Sequence, residues 1–245
     1  MRQHRIFHEG SLKVGTEVEL STENAHYLRQ VVRSKSGNMI TLFNGDGGEY
    51  SATIQTIEKR TCLVSVDQFI ERDVESPLKI TLLQGISKGD KMDFTVQKAV
   101  ELGVNHIVPV LTERSVVKLD AKRSQKKQEH WQGVAHSATA QSGRNQIVDV
   151  APITQLSEYL HTHKSGNESK LILSPASEVG FNAIARNQSL TLLIGPEGGL
   201  SDTEIKTATA KGFTAVRFGP RVLRTETAAI AALGLVQGIW GDLGS

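Results

Sequence analysis

The chain has a single cysteine, Cys62, in 245 residues. That excludes an internal disulfide framework and fits a reducing compartment. Cys62 stands in the strand-like run Cys62-Leu63-Val64-Ser65-Val66 and reads as a core filler. Cysteine clusters are absent and no closely spaced histidine pair falls on a helix, so no resident metal site is expected. No apolar run approaches the roughly 20 residues that span a bilayer. The N-terminal MRQHRIFHEG has no apolar stretch behind its basic residues, so a secretory leader is not expected and a cytoplasmic location is. Charge of one sign is lacking too: the net charge is +2, and the first 76 residues carry 9 Lys and Arg against 11 Asp and Glu. Bulk charge therefore does not establish nucleic-acid binding, and any such surface must be a local patch.

What is present divides near residue 75. The first part is β-rich, with period-two alternation in Thr16-Glu17-Val18-Glu19-Leu20, Met39-Ile40-Thr41-Leu42-Phe43 and Ser51-Ala52-Thr53-Ile54. Asn44-Gly45-Asp46-Gly47-Gly48 between two of these runs is a hairpin signal. One helix, Glu23 to Val32 with Thr22 as its N-cap, interrupts the strands, and the whole reads as a small barrel. The charged stretch Glu71-Arg72-Asp73-Val74-Glu75-Ser76-Pro77 reads as the linker. Beyond it, strands and helices alternate, and the unalternating apolar runs Leu171-Ile172-Leu173 and Thr191-Leu192-Leu193-Ile194 suit strands covered on both faces. The expectation is an α/β fold with a mostly parallel sheet, over domains 1–72 and 77–245.

Two late segments concentrate unusual chemistry. Ile194-Gly195-Pro196-Glu197-Gly198-Gly199-Leu200-Ser201 is a strand running into a glycine-rich turn, with Ser201 and Glu204 spaced as a capping box. Its glycines allow a ligand to approach the backbone, yet the turn lacks the Lys-Ser/Thr of a phosphate-binding loop and the spacing of a dinucleotide fingerprint. Glu197 suits a cationic ligand. The second segment, Phe218-Gly219-Pro220-Arg221-Val222-Leu223-Arg224-Thr225-Glu226, places Arg221, Arg224 and Glu226 between an apolar strand and an apolar helix, with Thr225 able to cap that helix. Each turn alone is compatible with an ordinary strand–helix connection; two of the same kind point to one ligand site.

Taken with Arg5-Ile6-Phe7, His26-Tyr27-Leu28, Val31-Val32-Arg33, Leu42 through Tyr50, Lys98 through Val104 and Gln141-Ser142-Gly143-Arg144, these segments resemble the SPOUT-type S-adenosylmethionine-dependent RNA methyltransferases. More narrowly, the chain resembles the RsmE family, which methylates N3 of a uridine in 16S ribosomal RNA. It departs at Val148, where family members commonly carry a proline. The resemblance implies a small N-terminal PUA-like RNA-binding β-barrel and a SPOUT domain with a C-terminal trefoil knot. It further implies a homodimer, S-adenosyl-L-methionine as cofactor, and 16S rRNA or the small ribosomal subunit as partner. Leu173, Ile194, Gly195, Gly199, Phe218, Gly219, Leu223 and Thr225 would then line the cofactor.

Uridine N3 is mostly protonated at neutral pH, so an enzyme must favour its anion and align it with the methyl donor. On the resemblance, Arg224 takes the catalytic place, as a fixed cation beside the uracil carbonyls. It is a poor base because it stays protonated. Glu226 or Glu197 would accept the proton or favour the sulfonium. Arg2, Arg5, Arg29, Arg33, Lys88, Lys91, Arg114, Arg144 and Arg221 are the candidate RNA contacts. Two other readings stay open: a non-catalytic RNA-binding or ribosome-assembly factor, and a SPOUT enzyme acting on another RNA.

Overall fold

The computed structural model describes residues 4–117, 119–163 and 166–244. The candidate RNA contact Arg2 lies outside them. The elements in chain order are β1 (Arg5–Phe7), β2 (Glu17–Leu20), α1 (Thr22–His26), a π-helical turn (Tyr27–Val31), β3 (Met39–Phe43), β4 (Glu49–Ile57) and β5 (Cys62–Ile70). Then follow β6 (Lys79–Gly85), α2 (Lys91–Glu101), β7 (His106–Leu111), α3 (Ala121–Ser142), β8 (Asp149–Val150), β9 (Thr154–Gln155) and α4 (Leu156–Thr162). The chain closes with β10 (Ser169–Leu173), β11 (Ser189–Ile194), α5 (Asp202–Ala210), β12 (Thr214–Val216) and α6 (Thr225–Ile239). No helix among the described residues is long and apolar enough to cross a membrane.

The contacts divide the chain into two units: residues 1–75 with 139–147, and 76–138 with 148–245. In the first, five strands run in the order β1-β3-β4-β5-β2. The Asn44–Gly48 turn joins β3 to β4 as an antiparallel hairpin, with Leu42 opposite Tyr50. Alternation along β5 sends Cys62, Val64 and Val66 into a core with Ile6, Leu28, Ile40, Leu42 and Ile54, while the intervening residues are only partly covered. The helix differs from its expected form. Ser21, not Thr22, is the N-cap, its hydroxyl accepting from the Asn24 N–H at 3.2 Å. Regular α geometry stops at His26 and gives way to the π turn.

The stretch expected to be the linker is tied down in the first unit through Arg72 and Glu75. Arg144 pairs with Glu75, and each side chain is only 5% exposed. Arg5 donates to Glu49, to the Arg144 carbonyl (2.9 Å) and to Asn145 Oδ1 (2.6 Å). Arg72 reaches the same Glu49 carboxylate at 3.2 Å and the Gly143 carbonyl at 3.1 Å. Burial, with Arg72 alongside, pulls the Arg5 guanidinium down to about 10. Segment 139–147 thus belongs to the first unit through charge-assisted bonds between residues distant in sequence, which a division into two successive stretches does not contain.

In the second unit the strand order is β12-β10-β11-β6-β7-β8, with β9 also on β7, and every pairing is parallel. Successive apolar residues serve opposite faces, as strand alternation requires. Leu82 and Leu192 join the core with α2, α3 and α6, whereas their neighbours Leu83 and Leu193 join the core with α4 and α5. This explains why apolar residues stand side by side at Leu82-Leu83 in β6 and Leu192-Leu193-Ile194 in β11. Ser201 and Glu204 form the expected capping box at α5.

Candidate functional site

Parallel pairing brings the carboxyl ends of β10, β11 and β12 to one edge of the second unit. Leu173 pairs with Val216, Ile172 with Leu193, and Ile194 with Gln84 of β6. The chain segments after Leu173, Ile194 and Val216 therefore leave from neighbouring strands on the same side, where ligands bind in open α/β sheets. The expected cofactor residues Leu173, Ile194, Gly195, Gly199, Phe218, Gly219, Leu223 and Thr225 all lie on these segments or at the start of α6.

The Gly195–Gly199 turn is held from three directions. Thr225, expected to cap α6, does something else. It is the first residue of that helix and its hydroxyl donates to the Gly195 carbonyl at 2.7 Å, while accepting from Gln84 Nε2 at 3.0 Å. Arg224 occupies the cap position, and no side chain caps the helix. On another side, the Arg114 guanidinium donates to the Gly198 carbonyl at 3.2 Å, and the Glu113 N–H donates to Glu204 at 2.9 Å. On the third, Glu197 accepts from Lys91 Nζ at 3.0 Å and from the Lys88 N–H at 3.2 Å. Burial alone would raise the Glu197 carboxyl, but hydrogen bonds from its own backbone, Lys91 and Lys88 outweigh it and hold it below the usual carboxylate range.

Close approach of backbone explains the glycines. A Cβ on Gly195 would lie 2.9 Å from the Gly199 carbonyl carbon, and one on Gly85 would lie 2.5 Å from the Pro196 nitrogen. At Gly199 and Gly219 the situation is the reverse: φ is +68° and +73°, and a Cβ would meet nothing within 4 Å. Both turns thus present bare backbone to open space. Two buried acceptors at this edge, Gln84 Oε1 and Glu226 Oε2, have no hydrogen-bond partner among the described residues. A buried acceptor left unmade costs about 1–3 kcal/mol, which a donor-bearing ligand would recover. Glycine turns open to a close approach, beside open acceptors, fit an amine-bearing cofactor better than a polyanion.

Arg221 and Arg224 are exposed on the loop before α6. Of the other candidate RNA contacts, Lys88, Arg29 and Arg33 are exposed with no ion pair to a described residue, whereas Lys91 and Arg114 are engaged with the glycine turn. Arg144, 4% exposed, is committed to Glu75, and Arg5 to Glu49. Phosphate contact at either would require breaking a buried pair. Gln84 was not singled out from the sequence; its signal was a polar residue directly after the apolar pair Leu82-Leu83, next to Gly85 at the strand end.

A cavity of about 240 Å³ opens elsewhere, at the amino ends of the strands, lined by Thr81, His106, Tyr159, Lys170, Thr191 and Phe213 among others. Burial and the Glu168 charge push the Tyr159 hydroxyl up to about 12. None of the loop residues above lines it. The carboxyl-end turns, with exposed backbone and open acceptors, are the better site for group transfer.

Residues 74–237 match the family described as an RNA methyltransferase domain, and residues 20–67 match one described as an RNA methyltransferase PUA domain. Fold and site thus define a two-part RNA methyltransferase. The chain is 35% identical, over 98% of its length and 97% of the relative's, to the ribosomal RNA small subunit methyltransferase E of Buchnera aphidicola subsp. Schizaphis graminum. Two solved structures are also similar: a putative methyltransferase from Legionella pneumophila with bound cofactor SAM (TM-score 0.95, 41% identity, 99% of this chain and 100% of that one), and a ribosomal RNA small subunit methyltransferase E from Neisseria gonorrhoeae bound to S-adenosyl methionine (0.92, 39%, with the same coverage). The chain belongs to the ribosomal RNA small subunit methyltransferase E family.

Proposed function

We propose that this protein transfers a methyl group from S-adenosyl-L-methionine to N3 of a uridine in 16S rRNA. The observation that carries the reading is the convergence of bare-backbone turns and open buried acceptors at one sheet edge, in a chain of this family. Gly195–Gly199 and Gly219–Thr225 hold the cofactor through backbone groups, with Leu173, Ile194, Phe218 and Leu223 as its apolar neighbours. When bound, the cofactor supplies an electrophilic methyl group on a sulfonium centre.

The remaining work falls to side chains. Arg224, exposed at the cap of α6, stabilises the negative charge that spreads onto the uracil carbonyls as N3 loses its proton. Glu226, on the first turn of α6 with one oxygen unpartnered among the described residues, takes that proton. Glu197 is the weaker candidate, because Lys91 and Lys88 already occupy it and favour its anion. Arg221, Lys88, Arg29 and Arg33 contact RNA phosphates.

The trefoil knot and the homodimer belong to the same reading. The return of β12 to the outer side of β10 supports the first, and exposed Leu235 and Ile239 on α6 support the second. A ribosomal substrate goes with a cytoplasmic location. The test is methyl transfer from labelled S-adenosylmethionine to small subunits lacking the modification, with the product nucleotide mapped. N3-methyluridine in 16S rRNA is expected. Cofactor binding without transfer would instead make the chain an assembly factor, and a methyl group on another RNA would reassign the substrate.

A further inference from the structure

Three helices of this chain end on a left-handed glycine. Just past α2, α3 and α5 stand Gly103, Gly143 and Gly212, at φ +80°, +84° and +87°. Glycine is the ordinary residue there because an L side chain crowds the backbone in the left-handed region. The helical segment of the first unit ends in the same conformation, but the residue is Arg33 at φ +59°, the only non-glycine residue with positive φ among those described. A chain that uses glycine at three such positions places a guanidinium at the fourth against local preference.

The strain adjoins a second irregularity. Tyr27–Val31 is a π turn, with the Val32 N–H bonded to the Tyr27 carbonyl at 3.1 Å and the Ser34 N–H to the Leu28 carbonyl at 2.9 Å. Single π turns are rare and recur at functional sites. Here the widened turn separates anchor from display. Leu28 is fully buried, while Tyr27 is 40% and Val31 66% exposed, and Arg29 and Arg33 are exposed as well. An aromatic ring, an aliphatic side chain and two guanidiniums thus face solvent within seven residues.

Bases of single-stranded RNA stack on exposed aromatic rings, and cations track the backbone beside them. We propose that this π turn docks an unpaired stretch of the RNA substrate: Tyr27 stacks on one base, Val31 packs beside it, and Arg29 and Arg33 hold the flanking phosphates. The left-handed strain at Arg33 is retained because glycine would relieve it only by removing a cation. The inference rests on the rRNA methyltransferase reading and deepens it by naming the docking element and the single-stranded character of what it binds.

The test combines stability with binding. Arg33→Gly should raise the melting temperature by about 2–4 °C, the shift for relief of roughly 1 kcal/mol in a chain of this size, while weakening affinity for a uridine-containing single-stranded oligonucleotide about 3–10-fold. Tyr27→Ala should weaken it about 5–150-fold, the range for one lost base stack, and Tyr27→Phe should restore it. With small subunits, both losses should appear in KM, with kcat held. A lowered melting temperature for Arg33→Gly would overturn the strain argument. Unchanged RNA affinity in Tyr27→Ala would overturn the docking surface, including the outcome that the patch serves a protein partner. If the unaltered protein methylates small subunits and these variants match it, this inference alone fails. If the unaltered protein transfers no methyl group, the functional reading fails, and the oligonucleotide affinities still decide the surface.

Discussion

Arg224→Ala is expected to lower the single-turnover rate of methyl transfer about 10²–10³-fold at saturating RNA and cofactor, the range seen when one preorganised donor to a developing anion is removed. RNA affinity should change less than tenfold, since one of several cations is lost. The argument is electrostatic. N3 must carry negative charge before it attacks, and the Arg224 guanidinium is exposed at the start of α6, beside the turn that Thr225 ties to Gly195. Arg224→Lys should recover only part of the rate, because a point charge does not reproduce the planar fork. A full loss of RNA binding with an unchanged rate at saturation would reassign Arg224 to phosphate contact.

A second large effect is expected in stability. Glu75→Ala removes the carboxylate that Arg144 meets while both side chains are 5% exposed. Breaking a buried pair at one partner typically destabilises by about 3–5 kcal/mol, because the other charge stays buried uncompensated. Chemical denaturation should show that loss. The double change Glu75→Leu with Arg144→Met should recover much of it, since apolar residues of similar volume often replace such pairs at little cost. A Glu75→Ala protein within about 0.5 kcal/mol of the parent, the scatter of an ordinary surface change, would contradict the account of how segment 139–147 is held.

The same pair shows where the sequence was legible and where it was not. Apolar runs at β10 and β11, the Asn44–Gly48 hairpin and the Ser201 capping box follow from local rules, and the structure contains each. The glycine turns were visible because three glycines beside a strand end have few other uses. Arg144 and Glu75 were read as an RNA contact and part of the linker. Nothing in their local sequence reveals that they meet across 69 positions. Thr225 misled for a related reason: its position fits a cap, but its hydroxyl serves a carbonyl 30 residues away. Gln84 was overlooked because its partner, Thr225, lies 141 positions downstream. The π turn was not legible because its residues carry ordinary helical periodicity, so a single helix through Val32 was expected where α geometry stops at His26.

The most direct measurement is a crystal structure of the protein grown with S-adenosylmethionine. The account predicts the adenosine against the backbone of Gly195–Gly199 and Gly219–Thr225, with Glu226 and Arg224 at the side open to an incoming base. Cofactor density in the cavity between Tyr159 and Phe213, or those turns bare at saturating cofactor, would contradict it.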